Sequence, residues 1–357
     1  MMGTNMSLAK KVFIDGREIS KETSPYIIAE LSANHNGKIE NAFKIIDEAK
    51  KAGADAIKLQ TYTADTITLD SSEDDFLIKG GLWDGRTLYD LYQEAHMPWA
   101  WHKTLFEYAK KIGITIFSSP FDNTAVDLLE SLGAPAYKIA SFEAIDLPLI
   151  RYVASKGKPM IISTGMANLE EIHQAIDTAV SAGCKELIVL HCVSGYPAPS
   201  EDYNLATLVD MQDRFGCLIG LSDHTIDNTT AIASIALGAC LIEKHVTLDR
   251  SGGGPDDSFS LEPKELKELC DSSKICWQAL GRVNYARKSS EESNAQFRRS
   301  LYFVKDLDQG DIIDSSCIRS VRPGFGIAPK FYDALIGKKV VRSVRRNTAV
   351  KHEDVEL

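Results

Sequence analysis

The residues best placed to do chemistry lie in one stretch, 219–249, IGLSDHTIDNTTAIASIALGACLIEKHVTLD. An apolar run ends at Ser222, Asp223 and His224. A helix-length segment follows, and a second apolar run ends at Glu243, Lys244 and His245. Two imidazoles therefore stand at matching ends of two successive strand-like segments. In an α/β barrel that end carries the chemistry. Two histidines there can share one divalent metal, with water and substrate completing its shell. The bland alternative is a pair of satisfied polar residues near the core. The neighbouring acids Asp223, Glu243 and Asp249 favour the metal. Two imidazoles and a carboxylate suit Mn, Fe, Co or Zn better than Mg.

Other strand ends carry a similar polar load. They hold Glu30 with Asn34, His35 and Asn36; Lys58 and Gln60; Ser118 and Ser119; Lys138 and Ser141; Ser163 and Thr164; and His191 and Ser194. A lysine inside an apolar strand is costly unless paired. Two such lysines, Lys58 and Lys138, with several hydroxyls fit an anion, and a phosphate is the natural candidate. A Schiff-base role for either lysine competes with this reading, but it leaves the histidines without a task. His96, His102, His173 and His352 read as surface or helix residues.

These positions need a scaffold that repeats. Strand patterns fall at residues 26–31, 55–60, 114–118, 136–140, 159–163, 186–192, 218–221 and 240–245. Helical patterns follow them at 40–51, 101–111, 124–132, 147–155, 169–182, 205–215, 229–237 and 263–280. Asn168 with Glu171 makes a capping box for one helix, and KAGAD, KIGIT, SLGAP, SAGCK and ALGAC mark the turns back into strands. Eight strand–helix units predict a closed (β/α)8 TIM barrel, of α/β class. A doubly wound sheet is the alternative, but it wants a glycine fingerprint where this chain has ELSANHNG. Residues 11–20 read as a hairpin at the barrel floor. The excursion 61–99 is too long for a plain loop. It forms either a wall of the substrate pocket, with Phe76, Trp83 and Tyr89, or a peripheral subdomain.

The expected division is a barrel with its hairpin over 1–282, a linker over 283–298 and a small β-rich domain over 299–357. The 357 residues carry a formal charge of −10, unevenly spread. From Val283 onward there are 14 basic and 10 acidic residues, net +4, which leaves 26 and 40, net −14, before it. The acidic bulk argues against a nucleic-acid partner. No apolar run reaches 18 residues, and residues 1–16 lack the apolar segment of an export signal. A cytoplasmic protein away from any membrane is expected, with its seven cysteines as thiols. Cys184, Cys192, Cys217 and Cys240 read as core residues.

The ordered motifs IIAELSANHNG, AIKLQTY, SSPFD, YKIASFE, ISTGMA, LHCVSGYPAP, IGLSDHT, EKHVTLD and GPDDSFSLEP resemble those of the sialic acid (N-acetylneuraminate) synthase family. The resemblance spans nearly the whole chain. It includes a C-terminal module similar to the family's antifreeze-protein-like (SAF) domain, with the loop RPGFGIAP. The excursion looks most like that of the family's pseudaminic acid branch. The resemblance implies condensation of phosphoenolpyruvate with an open-chain N-acetylated sugar to give a nine-carbon 2-keto acid and phosphate. It implies a divalent ion, most simply Mn2+ with Mg2+ or Co2+ as alternatives, on His224 and His245. It implies phosphoenolpyruvate contacts at Lys58, Lys138, Ser141, Ser163 and Ser222, and a sugar and metal region at Glu30, Gln60, Tyr196 and Asp249. It also implies a homodimer in which Arg322, or Arg319 by a shift of register, reaches the neighbour's barrel.

Two departures bear on substrate. Ser194 stands where the common sialic acid enzymes have Asn, which alters the phosphate contacts. The aromatic excursion argues against N-acetylmannosamine and for 2,4-diacetamido-2,4,6-trideoxy-L-altrose. N-acetylneuraminate and legionaminic acid synthases remain alternatives with the same chemistry. In the expected mechanism the metal polarises the sugar aldehyde for attack by carbon 3 of phosphoenolpyruvate, and Glu30 or Glu243 serves as base. A Schiff-base keto-acid lyase and a silent sugar-binding protein stay open as other classes.

Overall fold

The computed structural model describes residues 8–356, so residues 1–7 of the segment read for an export signal lie outside the described residues. The chain begins with an antiparallel hairpin, β1 (Val12–Ile14) and β2 (Arg17–Ile19). Eight parallel strands then close into a barrel. They are β3 (Tyr26–Glu30), β4 (Ala56–Thr61), β5 (Thr115–Pro120), β6 (Tyr137–Ile139), β7 (Met160–Ser163), β8 (Leu187–Cys192), β9 (Leu218–Asp223) and β10 (Leu241–His245), and β10 pairs back onto β3. Every barrel strand is followed by helix. After β3 comes α1 (Ile39–Ala52), and after β4 come α2 (Ala64–Ile67), α3 (Leu88–Ala95) and α4 (Trp99–Ile112). The rest follow one per strand: α5 (Asn123–Ser131), α6 (Leu147–Ala154), α7 (Leu169–Ser181), α8 (Thr207–Phe215), α9 (Thr229–Ala236) and α10 (Pro263–Leu280).

Strand alternation sorts the side chains into two cores. Odd residues of β3, Ile27 and Ala29, pack outward with Ile45, Ile46 and Ala49 of α1. Even residues, Tyr26 and Ile28, point inward and join Ala56, Phe117, Ile161, Ile188 and Leu218. Val12, Ile14 and Ile19 of the hairpin belong to that inner cluster, so the hairpin closes the barrel floor. Crowding inside is severe at Gly220, where a Cβ would lie 2.4 Å from the Leu241 carbonyl and 2.6 Å from Leu190. Helix ends follow local chemistry: Gly53 caps α1 at φ 92°, and Asn168 with Glu171 forms the expected capping box on α7.

The structure differs from the sequence reading in particular places. Strand β9 runs two residues further than the apolar run, to Asp223, because Ser222 and Asp223 stay buried and ladder-paired to β10. Of the histidines read as surface or helix residues, His102 is a helix residue. It lies fully buried on α4, with Nε2 sharing a hydrogen bond of 2.9 Å with the Thr61 hydroxyl. His96 and His173 are half-buried and His352 is exposed. The excursion is partly helical, and much of the linker, Ser289–Phe297, runs as a 3-10 helix.

Contacts divide the chain into two compact units after Gly281. The second has its own core, including Leu301, Phe303, Ile313, Ile318, Leu335, Val340 and Val350. It is held by an antiparallel pair, β11 (Ser300–Phe303) with β12 (Ile318–Val321), by isolated bridges and by one short helix, α11 (Tyr332–Leu335). Among the described residues no helix is long and apolar enough to cross a membrane.

Candidate active site

Two residues beyond the apolar inner layer, the same inward faces turn polar. Ile28 gives way to Glu30, Ala56 to Lys58, Phe117 to Ser119, Ala136 to Lys138, Ile161 to Ser163, Leu190 to Cys192 and Leu241 to Glu243. The period of two in each strand therefore builds a polar ring on an apolar floor. Lys58 Nζ lies 2.9 Å from Glu30 Oε2, 3.3 Å from Glu243 Oε1 and 3.2 Å from the Ser119 hydroxyl. Lys138 Nζ lies 3.5 Å from the same Glu243 oxygen. All four charged side chains are buried.

The charges in this ring do not cancel. Burial pushes Glu30 up to about 7, and its neighbour Glu243 adds to the rise against the pull of Lys58. Burial acts on Glu243 too, but Lys138 and Lys58 outweigh it and hold that carboxyl below its usual range. Burial and the nearby Lys58 lower Lys138. Two lysines thus face two carboxyls, of which Glu30 is the more readily protonated; its protonation leaves the lysines in excess for an anion to balance. Hydroxyls surround it. Ser163 Oγ is buried without a hydrogen-bond partner among the described residues. The Gly165 amide donates to Ser141 Oγ at 3.2 Å, and a Cβ at Gly165 would lie 2.2 Å from Ser194 Oγ, so backbone and two hydroxyls meet at one point. Ser222 is buried beside them on β9.

His224 and His245 stand side by side, ring centroids 5.4 Å apart. His224 Nδ1 donates to the Val193 carbonyl at 2.7 Å, so Nε2 is the nitrogen left for a ligand; burial lowers this imidazole, but Cys192 and the Val193 carbonyl outweigh it and raise it above its usual value. The backbone of His224 donates to the Tyr203 hydroxyl at 2.7 Å. Burial, with His224 and Lys58 nearby, holds His245 neutral, well below the usual imidazole value. His245 Nδ1 is buried without a hydrogen bond among the described residues, 3.7 Å from Asp256 Oδ2. A neutral His245 with an unpaired Nδ1, beside His224, fits a borderline divalent ion. Among the described residues no three His, Cys, Asp or Glu side chains converge as a ligand set; His224 and His245 are the two imidazoles that would hold such an ion.

Above the ring lies a cavity of about 490 Å³. Ser32, Gln60, Ser141, Glu143, Ser194, Tyr196, His245 and Asp256 line it, and the excursion supplies Ile67, Ile78, Trp83, Leu88, Leu91 and Tyr92. Tyr196 packs on His224 at 4.4 Å and on Trp83 at 6.0 Å, which links the histidine pair to the excursion. Trp83 Nε1 donates to the Pro255 carbonyl at 3.3 Å. Glu143 faces the cavity with Oε2 unpaired among the described residues, and burial pushes it up to about 7 against the pull of Lys138.

Residues 45–285 match the NeuB family, two-thirds of the chain. The chain belongs to the NeuB family. Residues 298–356 match the SAF domain, so the second compact unit contains the family's C-terminal module. The NeuB resemblance extends to named relatives. The chain is 45% identical over 329 residues to a pseudaminic acid synthase of Campylobacter jejuni, covering 92% of this chain and 96% of that one. It is 43% identical over 336 residues to a pseudaminic acid synthase of Helicobacter pylori, covering 93% and 98%. Among solved structures, the spore coat polysaccharide biosynthesis protein SpsE of Bacillus subtilis is 33% identical with a TM-score of 0.66, over 97% of this chain and 99% of that one.

Within this NeuB-family barrel the sequence-predicted residues are not all together. Gln60, Trp83, Ser141, Ser194, Tyr196 and His245 line the cavity. Glu30, Lys58, Lys138, Ser163, Ser222, His224 and Glu243 belong to the strand ends that bound it. Asp249 is exposed and accepts from the Ser251 amide and hydroxyl instead of lining the cavity. Phe76 is half-buried in a 3-10 turn and is not part of the lining. His191 bonds the Tyr203 carbonyl, and His35 packs edge-on against Trp101. Cys192 is more than core filling, since its sulfur lies 3.4 Å from Ser141 Oγ and 3.9 Å from His224 Nδ1. Arg322 and Arg319 are exposed in the second unit.

Ser32, Glu143, Asp256 and Lys244 are the residues that sequence reasoning passed over. Lys244 is buried and ties Asp223 at 2.8 Å to the Thr225 and Asp227 carbonyls at 2.7 Å, which braces the turn carrying His224. Its signal was the same as that of Lys58 and Lys138: a lysine within an apolar strand. Asp256 stands inside the quoted motif GPDDSFSLEP, but the loop returns it to the cavity eleven positions after His245, where spacing along the chain is no guide.

Proposed function

We propose that this chain condenses phosphoenolpyruvate with an open-chain acetamido sugar and water, giving a nonulosonic acid and phosphate. We take 2,4-diacetamido-2,4,6-trideoxy-L-altrose as the sugar and pseudaminic acid as the product. The observation that carries the reading is the buried Lys58–Lys138 pair with its excess positive charge, ringed by serine hydroxyls. Such a cradle suits a small trianion. Support for the sugar comes from the two pseudaminic acid synthase relatives and from the excursion. Ile67, Ile78, Leu88, Leu91 and Trp83 make an apolar wall, and such a wall suits a 6-deoxy, twice-acetylated sugar better than a fully hydroxylated one. The barrel is then of TIM type, with its chemistry at the carboxyl ends of the strands.

In this reading Lys58, Lys138, Ser141, Ser163, Ser194 and Ser222 hold the carboxylate and phosphate of phosphoenolpyruvate. His224 and His245 would hold a divalent ion, manganese in our reading, and its chemistry there would be Lewis-acid polarisation of the sugar aldehyde. Carbon 3 of phosphoenolpyruvate bonds to the aldehyde carbon, water adds to carbon 2, and the bond from carbon 2 to the phosphate oxygen breaks. Glu30, near 7, is matched to take the water's proton. Glu243, held ionised, anchors the lysines. Glu143, also near 7, can protonate the departing phosphate.

Carbon–oxygen cleavage makes a checkable claim about atoms. In oxygen-18 water the released phosphate should carry no label and the keto acid should carry it at carbon 2. Label in the phosphate would rule the route out.

The reading extends to assembly: a homodimer in which Arg322, or Arg319, completes the partner's site. Support comes from exposed apolar groups on the barrel's carboxyl rim, Phe142, Ile145 and Met166, and from Phe325 close to Arg322 in sequence. A chain ending before Ser293 should keep the barrel's fold yet lose at least tenfold in turnover, an effect on the scale of one removed charge-assisted contact. Undiminished turnover in the shortened chain would refute the shared site.

A further inference from the structure

Ser32 follows β3 and adopts φ 47°, in the left-handed region where a side chain is a liability and glycine is at ease. It is 4% exposed and lines the cavity. A non-glycine residue held in that conformation at a functional site calls for a compensating contact. The compensation here is the hydroxyl. It donates to Asp256 Oδ2 at 2.5 Å and accepts from Gln60 Nε2 at 2.9 Å. Gln60 spends its other amide hydrogen on Glu30 Oε1, also at 2.9 Å.

This chain of bonds has a direction. Both hydrogens of the Gln60 amide are committed, so the amide cannot turn over without losing two bonds. Only its carbonyl oxygen is left to meet a ligand. Asp256, when ionised, likewise offers only acceptors, and Ser32 supplies one of its donors. We propose that Ser32 is a positioning residue that fixes Gln60 and Asp256 as paired acceptors for hydrogen-bond donors of the sugar. The inference rests on the proposed function. It adds that the sugar presents at least two donors, hydroxyl or acetamido N–H, to this side of the cavity. A ligand with only acceptors there would leave two half-buried acceptors facing it unpaired.

Ser32→Gly is a clean variant because glycine relaxes the backbone while removing the hydroxyl. The thermal midpoint should stay level or rise. The KM for the sugar should increase about tenfold, the scale expected for loss of an oriented polar contact, while the KM for phosphoenolpyruvate stays at the wild-type value. A wild-type sugar KM in the glycine variant would overturn the proposal. So would a lowered midpoint with both KM values raised together, since that marks a structural role. If the wild-type protein consumes no acetamido sugar with phosphoenolpyruvate, the proposed function falls and this inference with it. An active wild type with an unaffected glycine variant removes Ser32 alone.

Discussion

At the scale of residues, the site separates a buried and a half-buried glutamate with raised values from one that is held ionised. Glu30 and Glu143 sit near 7 because burial disfavours their charge, whereas Glu243 lies between two lysines. A base or acid matched to neutral pH is worth about a hundredfold or more in rate. Glu143→Gln should therefore lower kcat by about that factor and flatten the decline in activity above pH 7. The same substitution has a signed effect on stability. Glu143 holds its proton more tightly in the folded state, near 7 against 4.5 unfolded. Its favourable contribution is complete below 4.5 and is lost as pH rises to 7. The glutamine variant should then melt higher than wild type at pH 8, with the gap closing toward pH 4.5. Equal midpoints at pH 8 would show that Glu143 is not strained by burial. Types such as Lys58, Lys138, His224 and His245 were legible in the sequence because charge or imidazole inside an apolar run is conspicuous. Glu143 and Ser32 were not, because a glutamate or serine in a polar loop looks like any other until the fold buries it.

At the scale of elements, the sequence carried the strand and helix identities well, since period two and period 3.6 are both strong over this chain. Boundaries moved where pairing outweighed composition. Strand β9 reaches Asp223 because its ladder with β10 continues past the apolar run. His102 stands on a helix, as read, and α4 turns it to β4, where the Thr61 hydroxyl bonds the imidazole and, at 2.6 Å, the Ser118 hydroxyl. Asp249 misled through proximity. It follows β10 closely in sequence, yet its carboxylate closes a local turn with Ser251, and Asp256 from the same loop returns to His245. The excursion was legible as a pocket wall from its aromatics and length. What it contributes most is aliphatic: Ile67, Ile78, Leu88 and Leu91 face the cavity beside Trp83, whereas Phe76 does not.

At the scale of the whole molecule, eight strand–helix repeats predicted closure, and the strands close. The sequence places a linker over 283–298 and a change of texture at Arg299, and contacts divide the chain after Gly281. An apolar floor sealed by the hairpin and a polar ring above it follow from a single rule of alternation applied strand by strand. That architecture places a cation-rich cradle beneath a cavity walled by the excursion, and the account assigns phosphoenolpyruvate to the first and the sugar to the second. The measurement that bears on this most directly is phosphate release from phosphoenolpyruvate with manganese present, compared across 2,4-diacetamido-2,4,6-trideoxy-L-altrose, its legionaminic-pathway counterpart and N-acetylmannosamine. The account predicts stoichiometric release with the altrose sugar and little with the other two. Release with no sugar in the set would contradict it.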